Sequence, residues 1–237
     1  MRASTELIVV GLLLIISSAA MADDNVSNDK IKTYRPANEE IEQFILPEGF
    51  KIELVAAEPL VINPVCVTLD EQGRMYVSES HTYRYGPGRS PVKEPTNPIV
   101  RLDPLPSGDG YRGVLVAEGF DDPVMGMAIR DGKLWCTANN FLFTFDLTEA
   151  GPAENKQTLL IDKNKAWNPF GMFVLEWGPA GDLLLSVGNH NIDIGPPDQP
   201  KGEGVTGRGN SGIVARMEPD GTEITRLVHG LRVPYSF

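Results

Sequence analysis

The sequence predicts an all-β chain folded as a β-propeller of four-stranded blades, and three observations carry that expectation. One hairpin design recurs three times, with turn glycines at positions 73, 132 and 181. The second strand of each copy is apolar on successive positions, as strands covered on both faces are. Further strand-like runs fill the gaps, so each repeat holds about four strands, the signature of a propeller blade. A β-sandwich or two small β domains would leave the likeness of the hairpins unexplained.

The elements follow in chain order. Arg2, the apolar run Leu7–Ala20 and then Ala20-Met21-Ala22 before Asp23 read as a signal peptide over residues 1–22, with an A-x-A cleavage site. The apolar run is too short to span a bilayer, and no later stretch matches its hydrophobicity. The expectation is therefore an exported chain, periplasmic or at the cell surface, and not membrane-spanning. Residues 23–46 read as a flexible leader with a short helix around Asn38–Phe44. Phe50–Val55 alternates apolar and polar residues and reads as a strand.

The first repeat opens at Asn63-Pro64 and turns at Gly73 into Met75-Tyr76-Val77. The second opens at Asp122-Pro123 and turns at Gly132 into Leu134-Trp135-Cys136. The third opens at Asn168-Pro169 and turns at Gly181 into Leu183-Leu184-Leu185. The turn residues supply the positive φ that a tight hairpin needs. Gly113–Ala117, Phe141–Asp146 and Gln157–Ile161 are further strands. Val233-Pro234-Tyr235 repeats the opening of a blade. Blade starts near 63, 122, 168 and 233 stand 59, 46 and 65 residues apart, counted from the prolines. At that spacing six blades need roughly 340 residues. Residues 47–237 are thus expected to be a partial propeller, six-bladed when complete, with three blades and the start of a fourth.

Composition excludes several classes. Asp and Glu number 32 against 21 Lys and Arg, a net charge of -11, and no basic cluster exists to hold nucleic acid. Export would permit a disulfide, but Cys66 and Cys136 each sit in an apolar strand-like run and read as buried free thiols. There is no C-x-x-C-H for covalent haem and no zinc-type spacing.

Several segments carry a resemblance. Pro47-Glu48-Gly49-Phe50-Lys51-Ile52-Glu53-Leu54-Val55-Ala56-Ala57-Glu58-Pro59-Leu60 resembles the opening of the membrane-bound dehydrogenase domain proteins of planctomycetes. Those are similar to the glucose/sorbosone dehydrogenases, six-bladed propellers that bind pyrroloquinoline quinone (PQQ). Trp177–Gly188 resembles that family's F-G-P-D-G-x-L-Y-V-S-V-G-D, Gly212–Thr222 its G-x-I-x-R-I-x-P-D-G-T, and Gly230–Pro234 its G-x-R-N-P. The resemblance covers about residues 47–237. It implies a PQQ-dependent sugar or aldose dehydrogenase with a small sugar or glycan as ligand and a separate electron-acceptor protein. It also implies a quinone contact for Arg232, whose planar fork donates two parallel hydrogen bonds. The family's catalytic histidine falls at or near Phe170, which cannot accept a proton. Asn189 stands where the family has Asp, and Val233 where it has Asn.

The repeat itself points to a site. In a propeller the second strands end on one face of the disc. Eight residues after each turn glycine stand His81, Asn140 and Asn189, flanked by Ser80, Asn139 and His190. The repeat openings add Asn63, Asp122, Asn168 and Arg232. Polar groups converging at the mouth of a rigid scaffold are the default site, although Asn and Asp before Pro also serve simply as turn formers. His81 and His190 are the candidate catalytic residues, replacing the family's base. Arg232, Asn140, Asn168 and Asn189 are the candidates for holding a cofactor. The loop 81–89 carries Tyr83, Arg84, Tyr85 and Arg89, groups that stack on a sugar or quinone ring. The loop from His190 to Gly212 carries Asp193, Asp198 and Glu203, so calcium is a second expected ligand there, without EF-hand spacing. His229 reads as a surface residue, and Trp135, Trp177 and Met172 as core. The alternative function is a non-catalytic propeller that binds glycan or protein at the cell surface.

Overall fold

The computed structural model describes residues 35–82, 97–164 and 171–235. The signal peptide, leader residues 23–34, the loop segment 83–89 and Asn168 lie outside the described residues. The chain forms two compact units, residues up to 63 with 104–112, and residues 64–103 with 113 onward.

The first unit contains α1 (Ala37–Ile41), preceded by Pro36 and carrying Glu39 and Glu40 in its first turn. Acidic side chains there favour the positive end of the helix dipole. The Phe50–Val55 strand expected from alternation does not form. Lys51, Glu53 and Leu54 are all exposed, so the segment lacks the half-buried face that alternation signals. A strand also needs a hydrogen-bonded neighbour, and among the described residues none pairs with this segment.

The second unit is built from antiparallel sheets. The first sheet runs β1 (Pro64–Leu69), β2 (Met75–Glu79), β3 (Ile99–Pro104) and β4 (Tyr111–Ala117), with chain neighbours adjacent in space. The second runs β5 (Val124–Arg130), β6 (Lys133–Ala138), β7 (Phe141–Thr148) and β8 (Gly151–Asp162). The third begins with β9 (Met172–Trp177) and β10 (Leu183–Val187). The chain then returns to the second sheet, where β11 (Asp193–Gly195) pairs with β8 and β12 (Val205–Thr206) pairs with β11. It closes the third sheet with β13 (Gly212–Met217) beside β10 and β14 (Thr225–Leu231) outermost.

The three hairpins of the sequence repeat are β1–β2, β5–β6 and β9–β10. Their turn glycines have φ of 76°, 70° and 90°, a region closed to most side chains. β2 is buried along its whole length, β6 beyond Lys133, and β10 apart from Leu184. The reason is stacking, since β1 lies beside β5 and β5 beside β9. Tyr76, Ile99, Val124, Met127, Leu134 and Phe145 fill one core. Trp135, Leu142 and Leu160 meet Met172, Leu185 and Ile213 in the other. There Trp135 and Trp177 pack edge to face with centroids 5.1 Å apart. The Trp177 indole donates to Ile129 O at 3.0 Å, and the Arg130 guanidinium lies 3.5 Å from the ring centroid. Both cysteines are free thiols. Cys136 is buried and Cys66 half-buried, short of the full burial expected for it.

A hydroxyl repeats with the hairpins. Ser78, Thr137 and Ser186 stand five residues after the turn glycines, and all three are fully buried. Ser78 Oγ donates to Val124 O at 2.7 Å, and Ser186 Oγ donates to Pro234 O at 2.8 Å. Both acceptors belong to the proline-containing opening of the following repeat. The bond thus ties the second strand of one repeat to the first residues of the next, and it places Pro234 against the third sheet. No helix among the described residues is long and apolar enough to cross a membrane.

Candidate functional site

The ends of β2, β6 and β10 each touch the opening of the next repeat. Ser78 bonds to Val124, Asn139 O accepts the Met172 amide at 2.7 Å, and the Asn189 amide donates to Arg232 O at 2.7 Å. The repeated contact sets these three strand ends along one edge of the stacked sheets, as the sequence repeat predicts.

At the second and third sheets the predicted residues join into one hydrogen-bonded chain. Asn140 O accepts the Asp162 amide at 2.8 Å. The Asp162 carboxylate, with 1% of its side chain exposed, pairs with His190 Nε2. His190 Nδ1 lies 3.0 Å from Gly188 O. Asp162 Oδ1 also accepts the amides of Asn164 (3.1 Å) and Asp193 (3.2 Å). His190 follows Asn189, whose amide reaches Arg232. Asn140, Asn189, His190 and Arg232 are therefore connected through Asp162. The Asn140 Oδ1 and Asn189 Oδ1 atoms are buried and have no hydrogen-bond partner among the described residues. Arg232 holds this position by its backbone and leaves its side chain exposed.

Asn139 is held in place beside them. It adopts φ of 50°, and its Nδ2 donates to Asp122 Oδ2 at 3.0 Å. Gly171 lies so close that a Cβ there would stand 2.5 Å from Asn139 O and 2.6 Å from Asn139 Oδ1. A glycine at 171 is what lets the β6 end and the β9 start approach.

His81 occupies a separate pair at the end of β2. Its Nε2 lies 3.0 Å from Glu79 Oε2, and the Glu79 side chain is 6% exposed. Asn97 closes the turn beneath it, accepting the amides of His81 (2.7 Å) and Thr82 (3.2 Å) at Oδ1 and donating to Phe120 O at 2.8 Å. The carboxylates of Glu79 and Asp162 were absent from the sequence-derived set. Glu79 had a signal, because residues two apart at a strand end share a face. Asp162 lies at the end of a fourth strand, which the hairpin register does not reach.

The 190–212 segment uses its acid internally. Asp193 accepts the amides of Gly202 (2.7 Å) and Gly204 (3.1 Å), one on each oxygen. Among the described residues no three His, Cys, Asp or Glu side chains gather to hold a metal ion. His229 is exposed on β14, and Met172 is buried as expected of core.

Residues 36–231 match the model of a family described as a domain of unknown function, DUF7133. No curated protein matches the sequence. Among solved structures the chain is similar to a luciferin-regenerating enzyme, at 11% identity over 73% of this chain and 47% of that one, with a TM-score of 0.47. It is also similar to the PQQ domain of pyranose dehydrogenase from Coprinopsis cinerea, at 15% identity over 67% of this chain and 44% of that one, with a TM-score of 0.40. The chain spans under half the length of each.

Proposed function

The chain belongs to the DUF7133 family, and from that premise we propose that it is an exported β-propeller whose mouth binds a small hydroxyl-bearing molecule of the sugar class. Three antiparallel sheets, two of four strands and one of six, with the repeated hairpins tied by a recurring hydroxyl bond, support the propeller reading. The carrying observation for binding is the pair of buried, partnerless oxygens at Asn140 and Asn189, both tied to the Asp162–His190 pair. An unpaired buried acceptor costs about 1–3 kcal/mol. A ligand hydroxyl that donates to each oxygen offsets that cost on binding. Arg232 supplies a cationic donor at the rim; Asn168, which the sequence repeat assigns to the same ring, lies outside the described residues.

The two histidines take different roles. Both His190 nitrogens are engaged, one beside Gly188 O and one by the Asp162 carboxylate. His190 therefore offers no free nitrogen to a substrate, and it orients the turn that carries Asn189. His81 stands beside the buried Glu79 carboxylate, an acid–imidazole pair, and on that pair rests its candidacy for any proton transfer.

The resemblance to glucose/sorbosone dehydrogenases makes a quinone-dependent oxidoreductase the second reading. The described residues do not fit PQQ. The quinone is a polycarboxylate and calls for cations and donors. The site offers one cationic side chain, Arg232, against buried acceptors at Asn140 and Asn189 and the carboxylates of Glu79 and Asp162.

Calorimetric titration with aldoses and polyols, with and without PQQ, tests the proposal. Saturable binding without PQQ is expected. Asn140→Leu and Asn189→Leu should each weaken it by about tenfold, or about 1.4 kcal/mol. Neither should lower the melting temperature, because each removes an orphaned acceptor. Absence of binding overturns the proposal, and binding that requires PQQ, with dye reduction, favours the second reading.

A further inference from the structure

A ligand-sized space lies away from the strand ends, against the second sheet. It is a cavity of about 320 Å³, floored by Trp135, Leu159 and Pro219. Polar groups of Lys133, Thr144, Gln157 and Asp220 also line it. Cross-strand register explains the grouping. Trp135 on β6 stands opposite Thr144 on β7, which stands opposite Gln157 on β8, so all three share one face. The β13–β14 turn brings Pro219 and Asp220 to the cavity, held by the Trp135 indole N–H, which donates to Pro219 O at 2.8 Å. That bond uses the only indole donor, so Trp135 offers the space apolar surface alone.

The polar lining has a defined character. Thr144 is 7% exposed, and its hydroxyl is buried without a partner. Lys133 is neutralised by the facing Asp146. The Thr222 hydroxyl and amide hold the Asp220 carboxyl below the usual carboxylate range, so it is anionic at neutral pH. The lining therefore carries about one net negative charge, in a chain already at -11, and repels anions. An anion is therefore disfavoured, and the mixed donors and acceptors of Gln157 and Thr144 suit a neutral ligand whose groups both donate and accept. The volume sits at the lower end of the roughly 300–1,000 Å³ typical of small-molecule sites, room for one ring rather than a chain of them.

We infer that this cavity binds a single neutral pyranose-type ring, its apolar face on Trp135, Leu159 and Pro219 and its hydroxyls on Gln157, Asp220 and Thr144. The site is independent of the mouth described above and stands or falls separately.

Saturation-transfer NMR of the whole chain with neutral methyl pyranosides tests it, with glucuronate as the anionic comparison. The expected result is transfer concentrated on one ring face. Measured in the Asn140→Leu/Asn189→Leu background, so that the mouth does not contribute to the signal, Gln157→Ala should raise the Kd about tenfold and the near-isosteric Thr144→Val about fivefold, with circular dichroism unchanged. Gln157 is exposed, so its replacement does not threaten folding. The inference is overturned by an absence of transfer from every neutral pyranoside, by equal transfer from glucuronate, or by wild-type affinity in both cavity variants.

Discussion

Replacing Asp162 with Asn puts the centre of the strand-end cluster under direct strain. The carboxylate is almost fully buried and takes three hydrogen bonds, two from the Asn164 and Asp193 amides and one from His190. The amide side chain keeps one oxygen for the backbone donors and puts an NH2 group in place of the carboxylate oxygen at His190. A hydrogen bond to a charged group contributes about 1.5–3 kcal/mol. Because the backbone bonds survive, the expected loss is about 1.5–3 kcal/mol. For a chain of this size each kcal/mol moves Tm by about 2–4 °C, so Tm should fall by about 3–12 °C. Calorimetric melts at neutral pH measure this. A double-mutant cycle with His190→Gln should return a coupling of about 1–3 kcal/mol. An unchanged melt, or strictly additive single effects, would refute the pairing on which the site rests.

Other perturbations address the scaffold. Gly171→Ala forces a methyl group against the Asn139 backbone and should destabilise by about 1–3 kcal/mol in urea titrations; a neutral result would mean the β6 and β9 ends are not in contact. Ser78→Ala and Ser186→Ala each leave a carbonyl without its donor and should cost about 1–2 kcal/mol apiece, whereas silent variants would remove the repeat-to-repeat tie. Burial works to raise the Asp70 carboxyl, but the hydrogen bonds and charge of Arg74 outweigh it and hold the group below its usual range. A depressed folded value means its stabilisation is complete above the unfolded value near 4 and is lost as pH falls through the folded one. The stability gap between wild type and Asp70→Asn should therefore be flat at neutral pH and close in acid, and a gap that widens in acid contradicts the assignment. Burial pushes the Cys66 thiol up to about 11 and Cys136 higher in the same direction, so both should resist a thiol reagent at pH 8 until denaturant is added. Fast labelling of native protein would contradict their placement.

The hairpins were legible because two independent signals coincide in each, a turn glycine with positive φ and a run that is apolar on every position. β11 and β12 were not legible. Strands of three and two residues have no period, and only their pairing onto β8 makes them strands. β3 was hidden by Arg101 and Asp103, which look like loop residues until their largely buried ion pair is seen. Phe50–Val55 failed in the opposite sense, since alternation was present without a neighbouring strand. In the site, counting from the turn glycines singled out Asn140 and Asn189 with their neighbour His190, and the repeat openings added Arg232. The count missed Asp162, which binds them together from outside the hairpin, and it could not reveal that both nitrogens of His190 are engaged.

The most direct test of the mouth as a binding site is a crystal structure of the protein grown with its tightest aldose or polyol. Ligand density is expected with hydroxyls within hydrogen-bonding distance of Asn140 Oδ1 and Asn189 Oδ1 and with Arg232 at its rim. Well-ordered Asn140 and Asn189 side chains facing no ligand, with density elsewhere, would contradict the proposed site.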